Sequence, residues 1–577
     1  MAYRNLQSFL RKLEEHNDII KIDAPVSTEL EMTEIADRVS KAQGPALLFQ
    51  NAEGYDYPVA MNVMGSEKRM SMALGADNLD DIGKEIEKYL NLENYLSVSG
   101  LVKSVPRFLR LLHVFPCRSF RKGNCQQVIE KEPDLFSLPV LKCWPQDAGR
   151  FFTLPLVFTK EAGSRRQNVG MYRMQILDRT STAMHWHKHK DGSEIFQSYA
   201  AEGRKMPVAV ALGCDPAITY AATSPLPKMI DEMMFAGWLR KARVKLVKCI
   251  TNDIYVPADA EFVLEGYVDT KEDLVREGPF GDHTGYYSLA DEYPRFHVTC
   301  ITHRREPVYP ATVVGKPPME DCYMAKATER IFLPFLRLQI PELADMNLPL
   351  EGVFHNCAIV SVRSRYPGAA RKVMNAIWGM GQMMYTKMIV TVDESVDVRD
   401  LSKVRDAVLH NVRGRESLFF SNGPLDALDH SSGTALYGCR LGVDATESGI
   451  SQEKEVENSF IVISVKKEYN FQGRKMLEEY LPVHSQKFVI CVDDSVDASD
   501  LSTVMWKVFN NIDASRDIVI LGQKIGVDAT RKLRGEGLSR DWPDDIVMSE
   551  EMKRIVSERW MEYGIDGSSK KGNKKNK

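Results

Sequence analysis

Residues 168–192 read NVGMYRMQILDRTSTAMHWHKHKDG. Two runs that suit a pleated, half-buried surface flank Asp178-Arg179-Thr180-Ser181, which predicts two strands joined at that turn. On either side lie further short runs of the same texture, TLPLVFT, VAVALG, FHVTCITH and PVYPATVVG, punctuated by Gly and Pro. Residues 123–322 therefore read as a strand-dominated domain of barrel type.

The flanking segments have a different rhythm. Leu6, Phe9, Leu10 and Leu13 recur at helical spacing, and IIKI, STELEMTEIADRV and ALLFQN follow, giving helix, strand, helix, strand over an α/β domain of residues 1–122. Thr28 and Glu31 have capping-box spacing, so the second helix is expected to start there. After residue 323 the alternation returns: AIVSV precedes GAARKVMNAIW, and MIVTVD precedes VRDLSKVRDAVLHNV. Then the pattern repeats. AIVSVRS (358–364) and MIVTVDESVDVRDLSKV (388–404) reappear near 461 and 488 as IVISVKK and FVICVDDSVDASDLSTV, and LGVDAT reappears as IGVDAT. An offset of about 100 residues predicts two copies of one α/β unit, over 323–455 and 456–565, the latter with a terminal helix. The second copy lacks GMGQ before its strand lysine, so Lys387 rather than Lys487 is expected to serve a site. Residues 566–577 are predicted to be a disordered, solvated basic tail.

Composition narrows the class. With 44% hydrophobic and 27% charged residues among 577, the chain can bury a sizeable core. A formal charge of -4 supplies no field for nucleic acid or anionic membranes. The 10 cysteines form no C-x-x-C pair, which predicts reduced thiols and no disulfide. No signal-like apolar core opens the chain, and no window reaches the roughly 18 apolar residues of a spanning helix. The expectation is a soluble cytoplasmic protein with no stable membrane insertion. Peripheral contact through the basic, aromatic stretch 103–123 stays open, though internal packing of its apolar face is the simpler reading.

Several residues could carry chemistry. Arg173 sits among apolar strand residues, where a guanidinium needs an acidic partner. Glu277 and Asp282 flank Gly-Pro-Phe-Gly, a turn able to bring two carboxyls into one pocket. An arginine beside one of them would keep it ionised, while that charge and burial would raise the other. His185, His187 and His189 alternate along a strand, where the outer two would lie roughly 13 Å apart, too far for one ion. Asp231 and Glu232 open an apolar helical run, with helix capping as the default use of both.

Together NVGMYR, MHWHKHKDG, IDEMMFAGWLR and EGPFGDHTGYY, in that order, resemble the UbiD family of prenylated-flavin decarboxylases. The resemblance implies an α/β and β fold: an N-terminal α/β domain, a central split β-barrel that binds flavin, and a C-terminal α/β domain used in assembly, here internally duplicated. It implies that Asn168, His189 and Glu232 hold a divalent ion, Mn or Mg, against the phosphate of prenylated FMN, with K as a possible monovalent companion. Met171, Tyr172, Arg173, His185, Trp186, His187 and Lys190 match flavin-contacting positions, and Lys387 matches a phosphate-contacting lysine. Arg173, Glu277 and Asp282 match the catalytic triad, with Asp282 as proton donor. In a regular strand Asn168 and Arg173 would face opposite ways, so a bulge at Gly170 is expected.

The implied reaction is non-oxidative decarboxylation. Asp282 stands where many relatives carry Glu, which favours a hydroxyaromatic acid. Residues 352–387 with FFSNGPLDALDHSS look most like the menaquinone-biosynthesis branch, acting on a dihydroxynaphthoic acid, ahead of ubiquinone-type enzymes acting on a hydroxybenzoate. His430 is expected to bond a substrate hydroxyl. A flavin prenyltransferase would supply the cofactor, and a homo-oligomer, dimer to hexamer, is implied. The alternatives are a flavin-dependent oxidoreductase on the same fold and a non-catalytic assembly subunit.

Overall fold

The computed structural model describes residues 3–91, 114–164, 166–186, 191–227, 230–446, 457–538 and 540–565. These residues form two compact units: Met1–Thr328 with Asp545–Lys577, and Glu329–Asp544. The stretch 103–113 and the basic tail fall outside the described residues.

In the first unit, helix α1 (Leu6–Glu15) buries Leu6, Phe9, Leu10 and Leu13, and Asn5 caps it by accepting from the Ser8 N–H at 2.9 Å. Strands β1 (Ile19–Ile22) and β2 (Ala46–Phe49) pair in parallel across helix α2 (Glu31–Lys41). The second helix starts at Glu31 rather than at Thr28. The Thr28 hydroxyl accepts from Arg150, while the Glu31 carboxylate reaches back to the Ser27 N–H at 2.8 Å. The sheet continues through β3 (Val59–Met61), and its last strand, Tyr309–Pro310, arrives from far downstream. One core joins Ile22, Leu47 and Phe49 of this sheet to Phe152, Phe262 and Phe296 of the next, so the two layers share an interior.

That second sheet has nine strands. Its members include β4 (Val128–Glu130), β5 (Phe151–Phe152), β6 (Leu156–Lys160), β7 (Gln167–Met171), β8 (Met174–Asp178) and β9 (Ser181–Met184). The others are β10 (Met206–Leu212), β11 (Phe262–Val268) and β12 (Arg295–His303). The order is β5-β8-β9-β12-β11-β10-β6-β7, with β4 on β12. β8 and β9 form the hairpin expected at Asp178–Ser181. β7 and β8 follow one another in sequence yet stand six strand spacings apart in the sheet. Flat, that separation would be roughly 29 Å. The link from Met171 to Met174 spans at most about 11 Å. The sheet must therefore curl until its two ends nearly meet, and Tyr172 and Arg173 lie on the link. This is the split-barrel geometry, and it removes the need for a bulge: β7 pairs β6 without a register shift, and the change of facing occurs where the strand ends at Met171.

The second unit holds two α/β sheets with the same plan. β13 (Cys357–Val362), β14 (Met388–Asp393) and β15 (Tyr437–Asp444) run parallel, as do β16 (Glu457–Val465), β17 (Gln486–Asp493) and β18 (Lys524–Asp528). Matching details confirm the duplication. Asp400 and Asp500 cap helices α3 (Leu401–Asn411) and α4 (Leu501–Asn511), and Asn411 and Asn511 donate to Ala445 O and Ala529 O at 3.0 and 2.9 Å.

The copies exchange lysines. Lys387 donates to Asn510 O at the end of α4 at 2.9 Å, and Lys487 donates to Leu409 O near the end of α3 at 2.6 Å. Each ammonium thus meets the negative end of the other copy's helix. Lys387 also pairs with Asp429 at 2.8 Å and Ser431 at 2.7 Å, which occupies all three of its donors inside the second unit. After the second copy the chain returns to the first unit. Helix α5 (Glu550–Arg559) lies on α2, where Glu31 accepts from Tyr563 at 2.7 Å and pairs with Arg559. Among the described residues, no helix is long and apolar enough to cross a membrane.

The two lysines differ in one respect. Lys387 has the buried Asp429 as counter-ion, whereas burial and the Arg413 charge push Lys487 down to about 8. Lys387→Met is expected to cost about 3–5 kcal/mol by stranding a buried carboxylate, and Lys487→Met about 1 kcal/mol. Because the folded-state pKa of Lys487 lies below its unfolded value, its protonation opposes folding below about pH 8, and that penalty fades as pH rises towards 10. Urea unfolding at pH 7 and 9 measures both effects; equal losses at pH 7 would contradict the assignment.

Candidate active site

Arg173 leaves the sheet at the link between β7 and β8 and turns into the mouth of the curled sheet. Facing it are strand β19, Val275–Glu277 in the pairing that bears Glu277, and the turn that follows. The guanidinium grips both carboxylates. Its Nε and Nη2 donate to Glu277 at 2.7 and 3.1 Å, its Nη1 donates to Asp282, and Nη2 also reaches the Ser288 hydroxyl at 3.1 Å. The Phe280 ring lies 4.6 Å from the guanidinium carbon, which closes one face of the ion cluster. His185 Nδ1 is 3.1 Å from Glu277, and the His185 ring packs 4.4 Å from Tyr293.

Burial raises the proton affinity of both acids, but partners outweigh it. The His185 bond and Arg173 hold Glu277 down to about 2; Arg173 and His283 hold Asp282 well below the usual carboxylate range. The expected division into one low and one raised carboxyl is therefore not what the resting site shows, because one arginine serves both. Burial, followed by the Arg173 charge, pushes His185 down, so its imidazole is neutral near pH 7. Since Glu277 is ionised, Nδ1 carries the hydrogen. His283 donates to Asp282 Oδ1 twice, from its backbone N–H at 2.8 Å and from Nδ1 at 2.9 Å.

A second group lies on β7 and the helix beside it. Helix α-Glu232–Arg240 is capped by Asp231, whose Oδ1 accepts from Met233 N at 2.7 Å and Met234 N at 3.1 Å. Asp231 is thus a cap, while Glu232 turns toward β7 and accepts from Val169 N at 3.4 Å. Asn168, Asp191, Glu194, Asp231 and Glu232 line one cleft. Burial, with Asp231 and Asp191 adding repulsion, pushes Glu232 up to about 7, so this donor set gains from a cation. Among the described residues no cluster of three His, Cys, Asp or Glu forms a metal site, and His189, the third expected ligand, lies outside them.

The remaining expected positions divide three ways. Met171 and Tyr172 stand at the sheet link, with the Tyr172 ring against Gly170, where a Cβ would come within 2.4 Å of it. Trp186 is buried beside Gly192, and its Nε1 has no hydrogen-bond partner among the described residues. His187, His189 and Lys190 lie outside the described residues; the described strand ends at Met184, before His185. Lys387 and His430 belong to the second unit. His430 is buried there, 3.3 Å from Asn511 and edge-on to Trp542, and burial lowers it to about 3.

Residues 10–86, 118–317, and 322–445 with 451–531 match the N-terminal, Rift-related and C-terminal domains of 3-octaprenyl-4-hydroxybenzoate carboxy-lyase, UbiD. The chain belongs to the UbiD family. It is a carboxy-lyase, a decarboxylase by class. An uncharacterized protein of Archaeoglobus fulgidus is 49% identical over 78% of this chain and 92% of its own length. One of Helicobacter pylori is 34% identical over 95% of both chains. Among solved structures, the vanillic acid decarboxylase of Sedimentibacter hydroxybenzoicus has a TM-score of 0.67 and 25% identity, covering 83% of this chain and 99% of its own. The UbiD-class enzyme HmfF of Pelotomaculum thermopropionicum, in an evolved dimeric form with prFMN, has a TM-score of 0.66 and 22% identity, covering 78% and 97%. That second likeness speaks to the fold alone.

Sequence reading missed four contributors. Ser288 and His283 carry no signal beyond their nearness to Asp282. Gln175 accepts from Gly278 N at 2.8 Å, and Asp147 accepts from Gly281 N at 2.7 Å, both across long sequence separations. Arg173→Ala is expected to cost about 3–5 kcal/mol near neutral pH by leaving two buried carboxylates without a cation. The wild-type stability contributed by Glu277 is present above its unfolded pKa of about 4.3 and is lost as pH falls towards 2. The variant should instead gain stability on acidification, so the gap narrows between pH 7 and 4; an unchanged gap in chemical denaturation would contradict the ion cluster.

Proposed function

We propose that this chain decarboxylates a hydroxyaromatic acid with prenylated FMN, and that Arg173, Glu277 and Asp282 carry the protein's share of the chemistry. The observation that supports this most directly is the buried cluster in which one guanidinium binds both carboxylates at the mouth of the curled sheet. The acidic cleft of Asn168 and Glu232 suits a divalent ion and so the phosphate end of the cofactor, with His189 the third ligand that the family resemblance implies. Met171, Tyr172 and Trp186 lie on the same stretch of chain as Asn168 and Arg173, at the positions that the family resemblance gives to flavin contact. Prenylated FMN, when bound, supplies the electron sink that loss of carbon dioxide from an aryl ring requires.

The chain's residues then handle charge and one proton. Arg173 is the cation a substrate carboxylate would meet. An incoming carboxylate competes with Asp282 for that guanidinium and repels its charge, so binding raises the proton affinity of Asp282. Asp282 takes up a proton and delivers it to the ring carbon that has lost its carboxylate, which balances the release of carbon dioxide. Glu277, held by both Arg173 and His185, keeps the guanidinium in place throughout. The shorter Asp282 fits a planar hydroxyaromatic ring, of naphthoate or benzoate type. The dihydroxynaphthoate of menaquinone biosynthesis leads and prenylated hydroxybenzoate follows. The vanillic acid decarboxylase, by its name an enzyme of a hydroxylated benzoic acid, supports the class. The prenyltransferase that makes the cofactor, and assembly as a homo-oligomer, complete the proposal.

Co-expression with a flavin prenyltransferase, followed by carbon dioxide assays on hydroxybenzoic and naphthoic acids, tests the reading. Turnover without NAD(P)H is expected. Asp282→Asn should abolish it while retaining the flavin absorbance; activity with unmodified flavin, or dependence on NAD(P)H, would point instead to an oxidoreductase. Calorimetry of substrate binding in two buffers of different ionisation enthalpy should show net proton uptake in the wild type and none in Asp282→Asn. Equal uptake in both would remove Asp282 as the proton carrier.

A further inference from the structure

Asp147 is a buried carboxylate that the decarboxylation scheme above does not use. It sits in the loop before β5, far from Asp282 in sequence, and makes three hydrogen bonds, all from backbone amides. Oδ2 accepts from Cys143 N at 3.1 Å and Trp144 N at 2.9 Å; Oδ1 accepts from Gly281 N at 2.7 Å, the residue before Asp282. The neighbouring residues hold the same turn. Ala148 N donates to Pro279 O at 2.9 Å, and Gln146 N donates to the Tyr287 hydroxyl at 3.2 Å. On Gly281 an added Cβ would come within 2.3 Å of Trp144 and 3.1 Å of Ile546, so the turn is gripped from two sides. Ile546, in turn, donates its N–H to Gly285 O at 2.9 Å.

Burial pushes Asp147 up to about 6, against the pull of its three amides and of Arg173. A folded-state pKa raised above the unfolded value means that ionising this group opposes folding at neutral pH. The titratable groups around it are Arg173 from the sheet link and Cys143 from its own loop. An ionised, stability-costing carboxylate whose only bonds are to backbone amides, one of them adjacent to the proton donor, suits positioning better than stabilisation.

We propose that Asp147 is a positioning residue for Asp282: its carboxylate fixes the Gly281 amide and so holds the Asp282 side chain in register with Arg173. The proposal rests on Asp282 being the proton donor. Asp147→Asn keeps an acceptor for Gly281 but turns an amide group toward the Cys143 and Trp144 N–H groups, loosening the loop without changing side-chain volume.

The test uses the full chain with prenylated flavin bound. For Asp147→Asn we expect kcat to fall roughly 10–100-fold with KM within about two-fold, flavin content unchanged, and Tm at pH 7.5 equal to or above that of the wild type. Hydrogen exchange of the peptide spanning residues 278–287 should be at least several-fold faster than in the wild type, with exchange of the peptide around β11 unchanged. Wild-type kcat, or a loss of kcat matched by loss of flavin and a lower Tm, would overturn the proposal. Unchanged exchange over 278–287 would overturn it even if no substrate had been found. Inactive wild-type holoenzyme together with faster exchange would leave the clamp standing and refute the decarboxylase reading instead.

Discussion

One guanidinium pairs with two buried carboxylates, and the first unit is organised to make that possible. A buried carboxylate without a cation costs several kcal/mol, so neither Glu277 nor Asp282 could sit in this mouth alone. Arg173 can reach both because it stands on the link where a curled sheet nearly closes on itself. The curl is in turn forced by sequence order, since adjacent strands in the chain are far apart in the sheet. Topology thus places the cation, and the cation permits the acids.

Electrostatically the resting cluster is one positive and two negative charges beside a neutral imidazole. It is a site that holds Asp282 deprotonated at rest. In the decarboxylation proposed above, proton uptake is linked to substrate binding through competition for a single donor set. The second unit uses similar chemistry for another end: its lysines join two copies of one α/β plan by mutual contact with helix ends, and the Lys387–Asp429 pair serves its interior.

Much of this was legible in the sequence because it rests on local patterns. Leu6, Phe9, Leu10 and Leu13 face inward as their spacing predicts, the β8–β9 hairpin turns at Asp178–Ser181, Asp231 caps its helix, and the duplication is visible as repeated strings. Other features depend on contacts between distant residues. The Thr28 capping box gave way because Arg150 takes its hydroxyl. The bulge expected at Gly170 was a strand-based solution to a facing problem that the end of the strand solves instead. The raised pKa expected for one carboxyl required knowing that Arg173 touches both. Asp147 carries no motif, since its partners are backbone amides that any residues could supply.

The most direct test of the account is a crystal structure of the holoenzyme at neutral pH. It should show the flavin ring in the mouth of the curled sheet, with Arg173 bound to Glu277 and Asp282 over one ring face and the phosphate end beside Asn168 and Glu232. A flavin bound elsewhere, or Asp282 turned away from the ring with Arg173 paired to Glu277 alone, would contradict it.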